Sequence, residues 1–157
     1  MACREIMTAN PPVLHREDTV KDALDLLLKH RYLALPVVDD NRRYLGMFAK
    51  SRLFGLLLPS VVAGEGKLPE RGQLPNLAFM DDHVADLRSR FDTVGEQRVG
   101  EYADQTVPKI APDASLMEAV LIVFRTRNFV PVVDPVTNRL EGVLSTWDIL
   151  SKIRERN

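Results

Sequence analysis

Apolar side chains recur every three or four residues in two separate stretches of the chain, a pattern typical of an amphipathic helix that buries one face. Thr19 precedes the first stretch and Ser115 the second, and an acidic residue, Asp22 or Glu118, follows three positions later with the spacing of a capping box. Both stretches therefore predict helices whose apolar stripes lie in a core. The stripes are Val20, Ala23, Leu24, Leu27 and Leu28 in the first helix, and Leu116, Ala119, Val120, Val123 and Phe124 in the second.

Two short runs rich in β-branched residues follow each predicted helix, with a polar turn between them. A short apolar segment precedes each helix, and a second helix closes each set. The order strand, helix, strand, strand, helix therefore occurs twice, which predicts an α/β fold. The predicted strands cover residues 12–14, 33–38 and 45–49, then 107–111, 129–133 and 143–144, and the closing helices cover 51–58 and 146–154.

The two sets share the word Pro-Val-Val-Asp, at positions 36–39 and again at 131–134, an offset of 95 residues. Self-similarity of this kind indicates an internal duplication whose halves bury a common core. The predicted organisation is repeat 1 (residues 1–58), a linker with a helical insert (59–98) and repeat 2 (99–157).

The segment between the repeats has two parts. Residues 59–72 are rich in Gly and Pro and predict a loop. Residues 81–97 predict a helix, because apolar positions recur there at helical spacing. We expect this helix to pack on the repeats as a lid or as a support for a dimer. Its apolar positions are Val84, Leu87, Phe91 and Val94.

The composition narrows the class of protein. Of 157 residues, 45% are hydrophobic and 27% are charged, and the formal net charge is −1. This balance gives no general attraction to nucleic acid or to anionic lipid, so neither is an expected partner. The longest apolar run, 54–63, contains Pro59 and Ser60 and is shorter than the roughly 18 residues of a membrane span. Cys3 is the single cysteine, and the first residues lack the layout of a signal peptide, which favours a cytoplasmic protein.

Residues that could carry catalysis are sparse. The three histidines, His15, His30 and His83, do not recur at the spacing of a metal site or a catalytic triad. Cys3 lies near the terminus with no base that the sequence places beside it, and there is no Gly-rich phosphate loop. We therefore predict no enzymatic activity, no cofactor and no metal ion.

The repeated pattern resembles the cystathionine-beta-synthase (CBS) domain family. The resemblance is carried by Ile6-Met7-Thr8, by the Pro-Val-Val-Asp strand in both copies, and by the Gly142–Ile149 ending of repeat 2. It covers residues 5–58 and 99–154. It implies that the two repeats pack through their sheets about a pseudo-twofold axis, as a Bateman module. Two clefts would lie between the repeats, and in this family such clefts hold adenosyl ligands.

Repeat 2 is most similar to the nucleotide-binding version of this pattern, in which Ser145 and Asp148 open the last helix. A carboxylate can accept both hydroxyl protons of a ribose, and a helix N-terminus with a Ser hydroxyl suits a phosphate. The alternative is that Ser145 and Asp148 form a capping box and contact no ligand. We favour ligand contact because of the repeat context.

Adenine would lie between apolar side chains of repeat 2 and pair with backbone edges, although each such residue could equally belong to the ordinary core. The candidate ligand-binding residues are thus Ser145, Thr146 and Asp148 on the last helix, Val107, Pro108, Lys109 and Ile110 before the first helix of repeat 2, and Phe129, Val130 and Pro131 on the following strand.

Repeat 1 departs from this pattern. Ala49 stands where the hydroxyl residue is expected and Arg52 where the carboxylate is expected, so its ribose site is predicted to be lost. Arg52 could face the phosphate of a ligand in the other cleft, but a solvated arginine is the interpretation we favour.

The predicted function is a stand-alone regulatory module that senses AMP, ADP, ATP or S-adenosylmethionine as a regulatory ligand and modulates a partner protein. All four molecules share the adenosine that Asp148 would bind. We also predict a homodimer, because the closing helices carry spare apolar residues: Leu56, Leu57, Leu58, Ile149, Leu150 and Ile153. The alternative is a ligand-free module for dimerisation or docking.

Overall fold

A computed structural model describes residues 1–58, 83–126 and 129–155. The chain forms two three-stranded sheets, and each repeat has two main helices, which is the α/β class that the sequence predicts. The elements are β1 (Thr8–Ala9), β2 (Leu14–His15), α1 (Val20–His30), β3 (Ala34–Val38), β4 (Tyr44–Ala49), α2 (Lys50–Leu57), α3 (Val84–Val94), α4 (Leu116–Thr126), β5 (Val130–Val133), β6 (Leu140–Leu144) and α5 (Thr146–Arg154), with 3₁₀ turns at Cys3–Glu5 and Val99–Tyr102.

The first sheet has the strand order β2-β3-β4. Its β2 strand is parallel to β3, and β3 is antiparallel to β4. The second sheet has the order β1-β6-β5, and both of its ladders are antiparallel. The strand β1 therefore leaves repeat 1 and pairs with repeat 2, where Thr8 lies opposite Val143. This exchange brings an N-terminal segment to the start of α5.

Backbone pairings between the repeats come in matched sets. Thr8 pairs with Val143 on one side, and Asp104 pairs with Met47 on the other. Asp104 lies 96 positions after Thr8, and Val143 lies 96 positions after Met47, so the two pairs are equivalent. Arg43 pairs with Arg139, which is its own equivalent in the other repeat. A contact between equivalent residues lies on the symmetry axis, so the two repeats are related by a pseudo-twofold axis between these arginines.

The predicted capping boxes are present. Thr19 accepts a hydrogen bond from the Asp22 N–H, and the Asp22 carboxylate accepts one from the Thr19 N–H. Ser115 and Glu118 make the same reciprocal pair at the start of α4. Each box satisfies backbone N–H groups that have no partner within the helix. The strand β6 begins at Leu140, three residues earlier than predicted.

The core has three parts. One cluster lies under the helices of repeat 1 and includes Val20, Leu27 and Phe48. A second lies under the helices of repeat 2 and includes Val123 and Leu144. The third lies between the two repeats and consists of Ala34, Val38, Tyr44, Met47, Val133 and Leu140. A shared core of this kind makes the repeats fold as one unit.

Two residues of the predicted apolar stripes are not in the core. Leu28 is 53% exposed and Phe124 is 74% exposed, so their assignment to the core is wrong. They occupy equivalent positions of α1 and α4, at the edge of each stripe. There the helix has already turned away from the sheet, because the sheet covers only the inner part of the helix surface.

The insert helix α3 is shorter than predicted and packs against α2 of repeat 1. Phe91 and Val94 contact the repeat 1 core, whereas Val84 and Leu87 are exposed. The predicted loop at 59–72 lies outside the described residues. No helix in the described part of the chain has the length and apolar character needed to cross a bilayer.

Candidate functional site

The junction of β6 and α5 carries a buried polar residue, Ser145. Ser145 is the N-cap of α5 and is only 8% exposed. Its hydroxyl accepts from the Asp148 N–H at 3.4 Å, while Oδ2 of Asp148 accepts from the Ser145 N–H at 2.8 Å and from the Ser145 hydroxyl at 3.1 Å. The capping interpretation of these two residues is therefore correct for the folded chain. It does not exclude a ligand, because the second carboxylate oxygen lies outside the box.

That second oxygen, Oδ1, faces β1, the strand that crosses from repeat 1 into the sheet of repeat 2. Thr8 on β1 donates its hydroxyl proton to Oδ1 of Asp148 at 2.8 Å. The pairing of β1 with β6 places Thr8 there, since Thr8 lies opposite Val143 in the ladder. From the sequence, Thr8 was noted only as part of the motif Ile6-Met7-Thr8. Nothing local in the chain predicts its contact with a residue 140 positions away.

Cys3 lies close to this carboxylate but is fully buried. Burial, and to a smaller extent the charge of Asp148, raises the pKa of the Cys3 thiol to about 11. A thiol with such a pKa is protonated near neutral pH, and the thiolate is the nucleophilic form. Cys3 is therefore a core residue of repeat 2, where it packs in the same cluster as Val123 and Leu144.

A cavity of about 250 Å³ opens beside the start of α5. It lies between the C-terminal end of α1 in repeat 1 and the N-terminal end of α5 in repeat 2. Aromatic rings form a continuous wall along it: the His30 and Tyr32 ring centroids are 5.6 Å apart, and those of Tyr32 and Phe129 are 5.0 Å apart. The lining residues are His30, Arg31, Tyr32, Leu33, Phe129, Ser145, Thr146 and Trp147.

The structure brings together only some of the residues that the sequence selected. Ser145, Thr146 and Phe129 line the cavity, and Asp148 lies next to it through its contacts with Ser145. Val130 and Pro131 are fully buried in β5, where they present no surface to a ligand.

The segment at Val107–Ile110 is not among the residues that line this cavity. Val107 packs against the core between the repeats, and Ile110 pairs with Val132 and is buried in the repeat 2 core. Pro108 and Lys109 are exposed. The repeat 1 wall of the cavity consists of residues 30–33, which the sequence analysis did not select. The signal that could have found them is the pseudo-twofold axis itself, because a cleft between two repeats takes one wall from each.

The equivalent region of repeat 1 has different chemistry. Ala49 gives α2 no side-chain cap. Arg52 is exposed, and its guanidinium lies 5.1 Å from the centroid of the Tyr102 ring, a cation–π contact. Asp104, which occupies the position equivalent to Thr8, comes two residues after Tyr102 in the chain. Hydrogen bonds from Thr106, and to a smaller extent the charge of Arg52, lower the pKa of Asp104.

Comparison with known proteins fits this architecture. The CBS domain profile matches residues 3–59 and again 99–155. The chain belongs to the CBS domain family. Its two copies form a CBS pair, in which β1 of the first copy joins the sheet of the second copy. No curated protein matches the chain in sequence.

Solved structures with the same fold include other CBS proteins. A CBS domain-containing protein from Kribbella flavida is 21% identical, with 99% of each chain covered and a TM-score of 0.71. CBSX2 in complex with AMP is 21% identical, with 98% of each chain covered and a TM-score of 0.68. CbpB in complex with c-di-AMP is 14% identical and also has a TM-score of 0.68, with 98% of this chain and 85% of CbpB covered.

Proposed function

We propose that this chain is a stand-alone regulatory CBS pair that senses an adenosine-containing ligand (AMP, ADP, ATP or S-adenosylmethionine) in the cleft between α1 and α5. The observation that carries the proposal is the group formed by Thr8, Ser145 and Asp148 beside the cavity. Two repeats supply this group, so a ligand bound there contacts both of them.

The acceptor capacity of Asp148 suits a ribose. A carboxylate offers about four acceptor positions. Two of them accept from the N–H and the hydroxyl of Ser145, and one accepts from Thr8. Rotation of the Thr8 hydroxyl away from Oδ1 leaves two positions, which match the two hydroxyls of a ribose. The Thr8 hydroxyl is then available to a further ligand atom.

The cavity has groups for the rest of a nucleotide. The aromatic wall of Tyr32 and Phe129 offers a stacking surface for a purine base. Thr146 and the N-terminal end of α5 provide hydrogen-bond donors, and Arg31, which also lines the cavity, provides a positive charge for a phosphate. The complexes of CBSX2 with AMP and of CbpB with c-di-AMP support adenine nucleotides as the first ligands to test.

One ligand per chain follows from the difference between the repeats. Repeat 1 has Arg52 where repeat 2 has Asp148, and Ala49 where repeat 2 has Ser145. An arginine has no acceptor for ribose hydroxyls. The second cleft therefore lacks the group on which the proposed site depends.

Binding at the cleft is proposed to change how the module acts on a partner protein, with no catalysis by the chain and no resident cofactor. Among the described residues, no cluster of three or more His, Cys, Asp or Glu is placed to hold a metal ion. The proposal includes a homodimer in the cytoplasm. The second candidate is a ligand-free docking module, and it is favoured by the fact that Ser145 and Thr8 already engage both oxygens of Asp148.

The test is a titration with AMP, ADP, ATP and S-adenosylmethionine, followed by the fluorescence of Trp147. This residue is the only tryptophan in the chain and lines the cavity. Saturable quenching or enhancement at one equivalent per chain supports the sensor, and a thermal shift that grows with ligand concentration gives an independent measure of binding. If none of the four ligands changes the fluorescence or the melting temperature at millimolar concentration, the docking module is the better interpretation.

A further inference from the structure

The two β-hairpins of the chain meet at the pseudo-twofold axis. The β3–β4 turn contributes Arg42 and the β5–β6 turn contributes Arg139. The N–H of Tyr44 donates to the Asn138 carbonyl at 2.9 Å, and the N–H of Leu140 donates to the Arg42 carbonyl at 3.0 Å. Hydrogen bonds between the repeats therefore fix the backbone of both arginines on a rigid part of the fold.

Arg42 has an unusual backbone conformation for its residue type. Its φ angle is 63°, in the left-handed region, and the equivalent residue of repeat 2, Asn138, has a φ angle of 61°. Asparagine adopts this conformation readily, whereas arginine does so at a cost in free energy. An asparagine at position 42 would satisfy the same turn, so the turn does not explain the arginine.

The guanidinium groups of Arg42 and Arg139 are not neutralised by a neighbouring acid. Among the described residues, neither group has a hydrogen-bond or ion-pair partner. The adjacent Arg43 differs, because its Nε lies 3.3 Å from Oδ2 of Asp39. We refer to Arg42 and Arg139 as the axis arginines.

Two grooves, of about 680 Å³ and 550 Å³, meet at the axis arginines. Both grooves are lined by Arg42, Arg139 and Thr137, so these three side chains face a common space. The Thr137 hydroxyl oxygen accepts from the Arg139 N–H at 3.3 Å, which leaves its own proton for a ligand. Neither groove shares a lining residue with the cavity beside α5. The hairpin grooves are therefore a separate place on the molecule.

Acidic side chains limit the kind of anion that fits these grooves. Asp40 lines one groove, and Asp134 and Glu141 line the other. The Asp134 carboxylate already accepts from the N–H groups of Val136 and Thr137, at 2.8 and 3.0 Å. Acids on both sides of the axis arginines repel an extended polyanion such as a nucleic acid strand. They leave room for one compact anion between the two guanidinium groups.

We propose that the axis arginines bind a phosphoryl group, as inorganic phosphate or as a phosphate monoester. A guanidinium donates two parallel hydrogen bonds to a phosphate. A phosphoryl group has at least three acceptor oxygens, so both arginines and the Thr137 hydroxyl can donate to it at once. A carboxylate has only two oxygens and satisfies one such fork. The site goes beyond the proposed nucleotide sensor and does not depend on it.

The experiment is a titration of the full chain with inorganic phosphate at constant ionic strength, followed by ¹H–¹⁵N NMR. The backbone amides at positions 42–43 and 138–139 report on the axis arginines, and those at 145–148 report on the start of α5. The expected result is a saturable shift of the hairpin amides. Arg139→Gln is expected to raise the phosphate dissociation constant by roughly 10-fold or more. Arg43→Gln, the matched control on the same hairpin, is expected to change it by less than roughly threefold.

A second variant separates binding from folding. Arg42→Asn places at position 42 the residue type that already adopts this conformation at position 138. It is expected to weaken phosphate binding by roughly 10-fold or more. Its urea denaturation midpoint is expected to equal or exceed that of the native chain. A lower midpoint would show that the arginine supports the turn, which overturns the argument for a ligand.

The phosphoryl group could belong to a small molecule or to a phosphorylated protein. Glucose 6-phosphate and a short uncharged peptide with one phosphoserine distinguish the two sources, and the probe that binds more tightly identifies the source. Binding of neither probe overturns the proposal.

Three outcomes of the phosphate titration would also overturn the proposal. They are the absence of a saturable shift at millimolar phosphate, shifts confined to positions 145–148, and an equal loss of affinity in Arg43→Gln and Arg139→Gln. The last would indicate a general attraction between charges. None of these outcomes affects the nucleotide sensor, because its Trp147 titration reports on the cavity beside α5.

Discussion

Repeat 1 and repeat 2 place opposite groups at equivalent positions of their clefts. In repeat 2 the helix start carries the carboxylate of Asp148, and the crossing strand carries the hydroxyl of Thr8. In repeat 1 the helix start carries Arg52, and the carboxylate is that of Asp104, on the segment that crosses from repeat 2 and pairs with Met47 of β4. One backbone design thus supports two chemistries, because the fold fixes where a side chain stands but not what it is.

The carboxylates of Asp148 and Asp104 also differ in their hydrogen-bond partners. Asp148 is tied to Ser145 and Thr8, and both partners come from elements that are fixed by strand pairing. Asp104 accepts instead from Thr106, two residues further along the same exposed loop. The position of Asp148 is therefore fixed by two separate elements, whereas Asp104 completes a local turn.

The largest expected effect comes from removing the charged side chain at the start of each closing helix, α5 in repeat 2 and α2 in repeat 1. Asp148→Ala is expected to weaken nucleotide binding by roughly 10- to 100-fold, since it removes charge-assisted hydrogen bonds to a ribose. Arg52→Ala, the matched control in repeat 1, is expected to leave the affinity unchanged. Calorimetric titration measures both. Unchanged affinity in Asp148→Ala, with only a lower denaturation midpoint, would reduce Asp148 to a helix cap and favour the docking module.

The next largest effect is expected at Gly142 and Gly46, which lie against the backbone of Thr8 and of Asp104. A Cβ on Gly142 would lie 2.6 Å from the Thr8 carbonyl oxygen, and one on Gly46 would lie 3.0 Å from the Asp104 carbonyl oxygen. Both Gly142→Ala and Gly46→Ala are expected to destabilise the chain by about 1–3 kcal/mol, because the crossing segment must shift.

The two glycine variants are expected to differ in binding. Gly142→Ala displaces Thr8 from Asp148 and lowers nucleotide affinity, whereas Gly46→Ala acts on the repeat 1 side and leaves the affinity as it is. Urea denaturation and nucleotide titration separate the two effects. Equal loss of affinity in both variants would show that the clefts are not independent.

A smaller effect tests the helix caps. Ser145→Ala removes the N-cap of α5 and is expected to cost about 0.5–2 kcal/mol. Ala49→Ser adds a hydroxyl at the uncapped start of α2 and is expected to stabilise the chain by about 1 kcal/mol or less. Chemical denaturation without ligand measures both changes. A loss of stability in Ala49→Ser would indicate that the partly buried site has no room for the hydroxyl.

The smallest effect is a pH dependence confined to repeat 1. Because hydrogen bonds from Thr106 lower the pKa of Asp104 below its ordinary value, the folded chain holds this group deprotonated more strongly than the unfolded chain does. Its contribution is therefore present above about pH 4 and is lost as the pH falls further. Asp104 is exposed, so the contribution is at most a few tenths of a kcal/mol.

The comparison that checks it is the slope of stability between about pH 4 and pH 2 in the native chain and in Asp104→Asn. The native slope is expected to be steeper. Identical slopes in the native chain and Asp104→Asn would show that folding does not change the pKa of Asp104.

Sequence patterns predicted much of the local structure of this chain, although the strand expected at 107–111 is reduced to a single bridge between Ile110 and Val132. The capping boxes at Thr19 and Ser115 and the bounds of α5 agree with prediction, because each depends on contacts within four residues. The duplicated Pro-Val-Val-Asp strands likewise lie in buried β3 and β5. The limits of the three predicted segments, 1–58, 59–98 and 99–157, stay predictions.

The errors occurred where the answer depends on which surfaces meet. Leu28 and Phe124 fit an apolar stripe, yet no element of the described chain lies over them. Leu56 and Leu57, which seemed spare apolar residues, pack against the repeat 1 core. Periodicity identifies the side of a helix that is apolar, but the width of the buried part depends on the shape of the sheet beneath it.

By itself the sequence determined the duplication, the α/β order of each repeat and the residues that open α5, because local propensity and capping follow from neighbouring side chains. Only the tertiary structure decided that Thr8 reaches Asp148 and that residues 30–33 of repeat 1 share a cavity with Thr146 of repeat 2. The first outcome follows from the pairing of β1 with β6, and the second from the packing of the two repeats against each other. Strand pairing over such a distance is decided by burial of the shared core between the repeats, and no local pattern encodes it.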